Sequence, residues 1–327
     1  MTKPGQTRVL LYVFNMNIHQ IAKERQLINE TIRDFFKSRG FVEVETPLLV
    51  ASPGMEPNLS PFETKVVEPN NQTHQAGLIT SPEYSMKKLL GQGMKKVFTI
   101  TKVFRNHEDL GNVHNPEFSM LEWYAQGQDY QACMNETEEL VREVIKNVGK
   151  TPGGYPHLID RVRVRDLFLK YAQIDLEKDD LTDHQKDNTD TISDVFYRIF
   201  LNEIEPHLEN IFVYDYPKYQ AALSRLTKDG KYGERFELYL GGLELCNGFT
   251  ELTDPVEQSQ RFEEEIQERR DLGKTLFPID EELLALLPSI QNPTYGNALG
   301  IDRLHLIATN RSSINDVLLF PASKLFK

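Results

Sequence analysis

The fold class can be inferred from one segment, which reads Arg235-Phe236-Glu237-Leu238-Tyr239-Leu240-Gly241-Gly242-Leu243-Glu244-Leu245-Cys246-Asn247. Two runs rich in apolar residues flank a pair of glycines. Because a two-glycine turn tolerates positive φ at both central positions, the segment predicts a β-hairpin. If Leu240 pairs with Leu243, then Tyr239 faces Glu244 and Glu237 faces Cys246. The two glutamates then lie on one face of the hairpin as diagonal neighbours.

The rest of the chain predicts helices and strands that do not alternate regularly. Residues 18–39 place apolar side chains at helical spacing, and Gly40 follows as a helix-ending glycine. We expect strands over residues 96–105 and 118–125, and helices near residues 130–146 and 189–202. No Gly/Ser-rich linker and no internal repeat divides the sequence. These patterns predict one domain of the α+β class, with an antiparallel sheet flanked by helices.

Composition excludes several classes of protein. The 327 residues are 39% hydrophobic and 26% charged, which is near globular averages and excludes fibrous and low-complexity chains. The apolar runs are far shorter than the roughly 20 residues of a bilayer-spanning helix, and residues 1–7 lack a signal-peptide pattern, so we expect no membrane partner. Two cysteines, Cys133 and Cys246, fit a reducing compartment, and we expect a cytoplasmic protein. The net charge of −12 weighs against nucleic acid as the main partner.

One predicted strand carries a residue pattern that permits ammonium binding. Residues 118–124 put Phe118, Met120, Glu122 and Tyr124 on one face of the strand. A carboxylate between aromatic rings could hold an ammonium group by ion pairing and cation–π attraction. The alternative is a solvent-facing glutamate beside core aromatics, and the strand by itself favours that alternative.

Other charged residues permit phosphate and metal binding. Glu237 and Glu244 could share a magnesium ion, since Mg²⁺ takes one or two carboxylates together with substrate phosphates, but two exposed acids on a hairpin are equally compatible. Arg105 ends a strand and Arg303 lies in the first turn of a helix, so both suit phosphate or carboxylate groups, although surface arginines are common. The chain has no Walker-type loop and no dinucleotide fingerprint. Any bound ATP is therefore held without those motifs.

Five segments, taken in order along the chain, resemble the motifs of one family. Residues 36–47 resemble motif 1 of the class II aminoacyl-tRNA synthetases, the dimer-forming helix and strand. Residues 103–124 resemble motif 2, and Gly300-Ile301-Asp302-Arg303-Leu304 resembles motif 3. Residues 80–83 and 247–252 resemble lysyl-tRNA synthetase in particular. The resemblance implies a class II aminoacyl-tRNA synthetase catalytic core that binds ATP and activates lysine.

Within this family the layout resembles the elongation factor P–lysine ligases. Lysyl-tRNA synthetases carry a preceding OB-fold domain that reads the anticodon, whereas fewer than about 20 residues precede the predicted opening helix here, so we do not expect tRNA as a partner. We therefore expect residues 1–17 to be an N-terminal extension and residues 18–327 to be the catalytic domain. Ala298 also resembles the ligases, because lysyl-tRNA synthetases usually have glycine there. A methyl group in a tight pocket can change the preference between α- and β-amino substrates by about 1–3 kcal/mol.

The resemblance assigns a role to each site residue. Arg105 and Arg303 would be the catalytic arginines, with Arg105 at the substrate carboxylate and the α-phosphate and Arg303 at the γ-phosphate. Glu237 and Glu244 would carry Mg²⁺. The ATP-binding residues would be Arg105, Asn106, Glu108, His114, Phe118, Glu244, Leu245, Gly300 and Arg303. The residues that bind the amino acid would be Ser81, Glu83, Glu122, Tyr124, Asn247, Glu251 and Ala298.

Together these residues predict an ATP-dependent, AMP-forming ligase that acts on lysine or (R)-β-lysine and modifies a lysine side chain of elongation factor P. We expect a homodimer. Two alternatives remain open, namely a minimal lysyl-tRNA synthetase core that acts on tRNA or makes dinucleoside polyphosphates, and a catalytically idle regulatory paralogue. Inactivity predicts losses among the charged site residues, and Arg105, Arg303, Glu237 and Glu244 are all intact. The idle paralogue is therefore the weakest of the three interpretations.

Overall fold

The computed structural model describes residues 6–149, 159–186, 191–221 and 223–326, with side chains from residue 18 onward. The helices are α1 (Gln6–Ser38), α2 (Glu83–Gly91), α3 (Tyr130–Val148), α4 (Val164–Leu167), α5 (Ile192–Ile199), α6 (Pro255–Asp271), α7 (Glu281–Leu286), α8 (Ile301–Ala308) and α9 (Ala322–Leu325). The strands are β1 (Val42–Glu43), β2 (Leu49–Val50), β3 (Glu63–Val67), β4 (Thr73–Leu78), β5 (Lys96–Phe104), β6 (Glu117–Gln126), β7 (Asp160–Arg163), β8 (Asn210–Pro217), β9 (Tyr232–Leu240), β10 (Leu243–Thr250) and β11 (Thr294–Gly300).

Antiparallel pairing dominates the larger of two sheets. Within the described ranges this sheet has eight strands in the order β1-β5-β6-β11-β10-β9-β8-β7. The pairs β1–β5 and β7–β8 at its two edges are parallel, and the pairs between them are antiparallel. The smaller sheet has the order β2-β4-β3. This arrangement of helices around a mainly antiparallel sheet agrees with the predicted α+β class.

The predicted hairpin is formed by β9 and β10. Leu240 pairs with Leu243 and Tyr239 pairs with Glu244, as the two-glycine turn predicts. The glycines of the turn have φ angles of 60° and 76°, in the left-handed region that favours this residue type. The turn and the first pairs of the hairpin are therefore confirmed.

Further from the turn, the register of the hairpin differs from the prediction. Cys246 pairs with Leu238 and not with Glu237, because a β-bulge lies between Glu244 and Cys246. A bulge sets two residues of one strand opposite one residue of the other, so the residues after it change face. The predicted pairing of Glu237 with Cys246 is wrong, and Asn247 is the residue opposite Glu237. As a result, Glu244 and Asn247 face the same side although they are three positions apart.

The other predicted elements are present with shifted ends. The opening helix, predicted from residue 18, is α1 and begins at Gln6; Gly40 follows its end with a φ of 80°. The predicted strands are β5 and β6, and the helix near residues 130–146 is α3, where Asp129 accepts N–H bonds from the first turn. The helix near residues 189–202 is α5, continued by a π-helical turn, and residues 187–190 lie outside the described residues. None of the described helices has the length and apolar composition needed to span a bilayer.

The main core lies between the large sheet and the helices α1, α3 and α8. Phe36 of α1 is at the centre of an aromatic cluster in this core. Its ring centroid is 5.2 Å from that of Phe35, 5.0 Å from Phe41, 4.9 Å from Phe98 and 5.3 Å from Trp123. Since Phe98 belongs to β5 and Trp123 to β6, the cluster attaches α1 to the strands that lead into the site.

Replacing Phe36 with alanine would remove the ring that joins α1 to the sheet. We expect the free energy of unfolding to fall by about 3–5 kcal/mol, measured by urea unfolding followed by circular dichroism. Phe320→Ala is the matched control, because the Phe320 side chain is 75% exposed and its loss should cost less than about 0.5 kcal/mol. Equal losses for the two variants would contradict the central position of Phe36.

Candidate active site

Antiparallel register places four residues from distant parts of the sequence in one row across the large sheet. Glu122 in β6 is opposite Ala298 in β11, Ala298 is opposite Asn247 in β10, and Asn247 is opposite Glu237 in β9. Residues directly opposite in antiparallel pairs project to the same face, so all four side chains lie on the face away from α1, α3 and α8. Separate sequence motifs predicted these four residues as site residues, and the sheet brings them together.

A second row, two residues further along the strands, borders the first. Tyr124 is opposite Gly296, Gly296 is opposite Phe249, and Phe249 is opposite Arg235. A Cβ atom at Gly296 would overlap the Tyr124 ring and the Glu251 carboxylate. The glycine therefore lets these two side chains approach each other above the sheet.

This face of the sheet forms one wall of a cavity of about 870 Å³. Most of the predicted site residues line it, namely Ser81, Glu83, Arg105, Glu108, His114, Phe118, Glu237, Glu244, Leu245, Asn247, Ala298, Gly300 and Arg303. Glu122, Tyr124 and Glu251 are buried beside these residues. Asn106 is exposed and lies outside the lining, where its side chain accepts the His107 backbone N–H at 3.0 Å.

Glu122 is a buried carboxyl group that is held by two neutral donors. The Ser81 hydroxyl donates to Oε2 at 2.7 Å, and the Tyr124 hydroxyl donates to Oε1 at 2.5 Å. Burial, together with the nearby Glu83, raises the pKa of Glu122 to about 8. An incoming ammonium group would stabilise the charged form of this carboxyl group.

Glu251 and Glu83 share a buried lysine that the sequence patterns did not identify. Lys87 Nζ is 2.6 Å from Glu251 Oε2 and 2.5 Å from Glu83 Oε1, and its side chain is 1% exposed. Burial raises the pKa of Glu251 to about 8, although Lys87 lowers it. The spacing of Glu83 and Lys87, four residues apart in a predicted helix, was the available signal, since such pairs lie on one helix face.

Arg105 lines the cavity directly after the end of β5. Its guanidinium carbon is 5.3 Å from the centre of the Phe118 ring, and its Nε atom is buried without a hydrogen-bond partner in the described part of the chain. Burial lowers the pKa of Arg105, while Glu244 and Glu108 oppose that shift. A guanidinium stays charged in proteins, so Arg105 offers unsatisfied donors to an anion in the cavity.

Arg303, in the first turn of α8, is the second arginine of the cavity. Its Nη1 donates to the Glu244 carbonyl oxygen at 2.6 Å, and its Nη2 is 3.0 Å from His114 Nε2. Burial and the charge of Arg303 lower the pKa of His114, so the imidazole is neutral and its Nε2 can accept from Arg303. Arg303 and Arg105 thus lie in a group that also contains His114 and Glu244.

Asp302 fixes the start of α8 against two other elements. Its Oδ2 accepts the Ser119 backbone N–H of β6 at 2.8 Å, and its carboxylate forms an ion pair with Arg25 of α1. Asp302 is 2% exposed. Because Arg303 is the next residue, these contacts determine where its side chain enters the cavity.

Glu237 is already held by three donors of the protein. Arg235 Nη2 donates to Oε1 at 2.6 Å, and the hydroxyl groups of Tyr216 and Tyr239 donate to Oε2 at 2.5 and 3.0 Å. These bonds orient the carboxylate and compensate its charge in a buried position.

Glu244 has a different environment from Glu237. Its carboxylate is 3.7 Å from Arg303 Nη1, and burial together with Glu237 raises its pKa to about 7. A divalent cation next to Glu244 would stabilise the carboxylate, so the residues fit a magnesium ion there. Within the described residues no group of three or more His, Cys, Asp or Glu residues is arranged to hold a metal. Phosphate oxygens would therefore have to complete the coordination.

Comparison with known proteins agrees with this arrangement. Residues 4–324 match the family described as tRNA synthetases class II (D, K and N). The elongation factor P–(R)-β-lysine ligase of Hamiltonella defensa subsp. Acyrthosiphon pisum (strain 5AT) is 36% identical over 94% of this chain and 96% of the relative. Proteins of the same name from Salmonella paratyphi B and Salmonella dublin are each 38% identical over 92% of this chain and 94% of the relative.

These matches cover nearly the whole chain, and they confirm the resemblance that the five motifs indicate. The chain belongs to the class II tRNA synthetase family, in the branch that contains the elongation factor P–(R)-β-lysine ligases.

Proposed function

We propose that the chain uses ATP to activate lysine or (R)-β-lysine as an aminoacyl-adenylate and then transfers the acyl group to a lysine side chain of elongation factor P. The distribution of charge in the cavity is the observation that carries this proposal. Arg105 and Arg303 lie close enough for their charges to interact, whereas Glu83, Glu122 and Glu251 form an acidic group around Lys87. Phosphates and a carboxylate suit the two arginines, and the ammonium groups of a diamino acid suit the acidic group. The names of the curated relatives contain the same amino acid and acceptor.

Activation needs positioning and charge neutralisation rather than a protein nucleophile. A carboxylate oxygen of the amino acid attacks the α-phosphorus of ATP, the P–O bond to pyrophosphate breaks, and the acyl-adenylate forms. We assign Arg105 to the carboxylate and the α-phosphate, Arg303 to the γ-phosphate and Phe118 to the adenine ring. The unpaired Nε of Arg105 supports this assignment, because a substrate oxygen can accept its N–H. Further ATP contacts are assigned to Asn106, Glu108, His114, Leu245 and Gly300.

The acidic group accounts for recognition of a substrate with two ammonium groups. We assign Glu83 to the amino group near the reacting carboxylate, with Ser81 shaping the pocket beside it. The distal ammonium is assigned to Glu122, Tyr124, Asn247 and Glu251. The shared row of Glu122 and Asn247 and the burial of Glu251 support this assignment.

A magnesium ion is assigned to Glu237 and Glu244. The raised pKa of Glu244 supports this assignment, because a cation would stabilise the ionised carboxylate. When bound, Mg²⁺ neutralises phosphate charge and favours departure of pyrophosphate.

Transfer completes the reaction. The uncharged ε-amine of the acceptor lysine attacks the acyl carbon, the bond to AMP breaks, and the amine loses a proton as the amide forms.

An ATP-dependent reaction on a translation factor belongs in the cytoplasm, where both substrates are present, and we place the protein there.

We also propose that the chain works as a homodimer that associates through the motif 1 region. Exposed apolar side chains on α1 and on the segment that follows it support this proposal; they include Leu27, Val42, Leu48 and Leu49. The division into an extension over residues 1–17 and a catalytic domain over residues 18–327 stays a prediction.

Parallel transfer assays test the proposed reaction. Purified enzyme, ATP and Mg²⁺ would be incubated with labelled lysine or (R)-β-lysine, together with either elongation factor P or total tRNA. We expect label on elongation factor P in preference to tRNA. Label on tRNA alone would support the minimal synthetase instead, and failure to form any adenylate would support the idle paralogue.

Ala298→Gly tests the assignment of the amino-acid pocket. The Ala298 methyl group lies in the row between Glu122 and Asn247, so its removal enlarges the space around the substrate amino groups. We expect the ratio of kcat/KM for lysine to that for (R)-β-lysine to rise by about 10–200-fold, the range of one methylene-sized change. The KM for ATP should not change. An unaltered ratio would show that the Ala298 methyl group does not set the preference between lysine and (R)-β-lysine.

The pH dependence of lysine binding tests the acidic group. The carboxyl groups of Glu122 and Glu251, with pKa values raised to about 8, are mostly neutral below that pH, whereas an ammonium group binds the charged form. The KM for lysine should therefore fall as the pH rises from 6 to 8, by about tenfold per pH unit where one proton leaves. Lysine-dependent exchange of pyrophosphate into ATP would measure this KM at each pH. Glu122→Gln removes one titrating group and should flatten the slope, and a wild-type KM that does not change with pH would contradict the assignment.

A further inference from the structure

Lys87 is the one cation that directly contacts the acidic group in the described residues. It lies one helical turn after Glu83 on α2, and it is in ion-pair distance of both Glu83 and Glu251, at 2.5 and 2.6 Å. Its Nζ is also 5.5 Å from the centre of the Phe249 ring, and the side chain is 1% exposed. A lysine without exposure to water requires close carboxylates to remain charged.

The carboxylates of the acidic group outnumber the single positive charge of Lys87. Glu83, Glu122 and Glu251 are three acids that interact with one another, and Lys87 supplies one positive charge. Glu56 also interacts with Glu83 and Lys87, but Arg105 lowers its pKa as well and supplies a second positive charge for it. Among the described residues, Glu122 accepts hydrogen bonds from just the neutral hydroxyl groups of Ser81 and Tyr124. When all three acids are ionised, the group carries a net charge of −2. A diamino acid has two ammonium groups, and together with Lys87 these would balance the three carboxylates.

We propose that Lys87 is a specificity-determining positioning residue, a built-in ammonium group that neutralises one of three carboxylates and leaves the pocket matched to a substrate with two ammonium groups. This inference rests on the proposed function, since it concerns the same amino-acid site. Lys87 acts through Glu83 and Glu251, which it holds in place, and does not itself touch the reacting atoms.

The groups that face Lys87 come from several elements. They are Glu83 from its own helix, Glu122 from β6, Glu251 after β10, and Glu56 from the segment between β2 and β3. The charge of Lys87 lowers the pKa of Glu56, Glu122 and Glu251. Removing that charge would raise these pKa values, so the acids would ionise, and bind ammonium groups, only at a higher pH.

A competing interpretation makes the opposite prediction. If Lys87 merely occupied the position of a substrate ammonium group in the free protein, the substrate would have to displace it. Removal of the Lys87 charge would then lower the KM for lysine. The direction of the change in KM therefore separates the two interpretations.

Lys87→Met tests the inference because methionine keeps most of the length of the side chain and removes the charge. Lysine-dependent ATP–pyrophosphate exchange would be measured from pH 6 to 9.5. We expect the KM for lysine at pH 7.5 to rise at least about tenfold, the KM for ATP to stay unchanged, and the midpoint of the KM–pH curve to move up by about one pH unit. An unchanged midpoint would show a structural role only, and a lower KM would show competition. Either result would overturn the inference.

Lys88→Met is the matched control on the same helix. Lys88 Nζ is 2.8 Å from Asp280 and from Glu282, away from the acidic group, so its loss should leave both KM and the midpoint unchanged. If wild-type protein activates neither lysine isomer, the proposed function and this inference both fail. If wild-type protein is active and Lys87→Met has a normal pH profile, only this inference fails.

Chemical rescue keeps the test decisive if Lys87→Met folds poorly. Lys87→Ala leaves space for propylamine, which has the same atoms as the missing part of the lysine side chain. Added propylamine should restore the KM and the midpoint toward the wild-type values, whereas propan-1-ol, a neutral molecule of similar size, should not. Equal rescue by both compounds, or by neither, would overturn the inference.

Discussion

The site depends on the register of four antiparallel strands. The strands β6, β11, β10 and β9 lie next to one another in that order in the sheet. Their register places Glu122, Ala298, Asn247 and Glu237 in one row on one face. The opposite face carries the apolar side chains that pack against α1, α3 and α8. A shift by one residue would exchange the two faces, burying carboxylates in the core and exposing the core residues. Burial of the apolar face therefore also fixes the position of the polar one.

Charge compensation is the second constraint on the cavity. Four of its carboxylates have a partner close by: Arg235 for Glu237, Lys87 for Glu83 and Glu251, and hydroxyl groups for Glu122. Arg105 is less satisfied, since its Nε has no hydrogen-bond partner among the residues that the structure describes. The free protein thus orients its acids in advance and keeps donors available for anionic substrate groups, which reduces the reorganisation that binding requires.

Much of the architecture could be predicted because its signals are local. Enrichment in aromatic and β-branched residues identified β6, the two-glycine turn identified the β9–β10 hairpin, and helical spacing followed by Gly40 identified α1. The bulge between Glu244 and Cys246 could not be predicted from these signals. Nothing in the sequence of β10 marks an extra residue, since a bulge is stabilised by the pairing and burial of both strands. Lys87 was missed for a related reason: its second partner, Glu251, is distant in sequence and meets it only in the folded chain.

By itself, the sequence determined the α+β class, the order of the motifs and the chemical types in the site, because helix and strand periodicity and residue chemistry act over a few neighbouring positions. The tertiary structure alone decided which faces these residues share and how their charges combine. The bulge brings Glu244 and Asn247 to one face, and the approach of Glu251 to α2 places Lys87 between two carboxylates. Both arrangements arise from contacts between segments that are far apart in the chain, where strand pairing and the cost of burying uncompensated charge select the geometry.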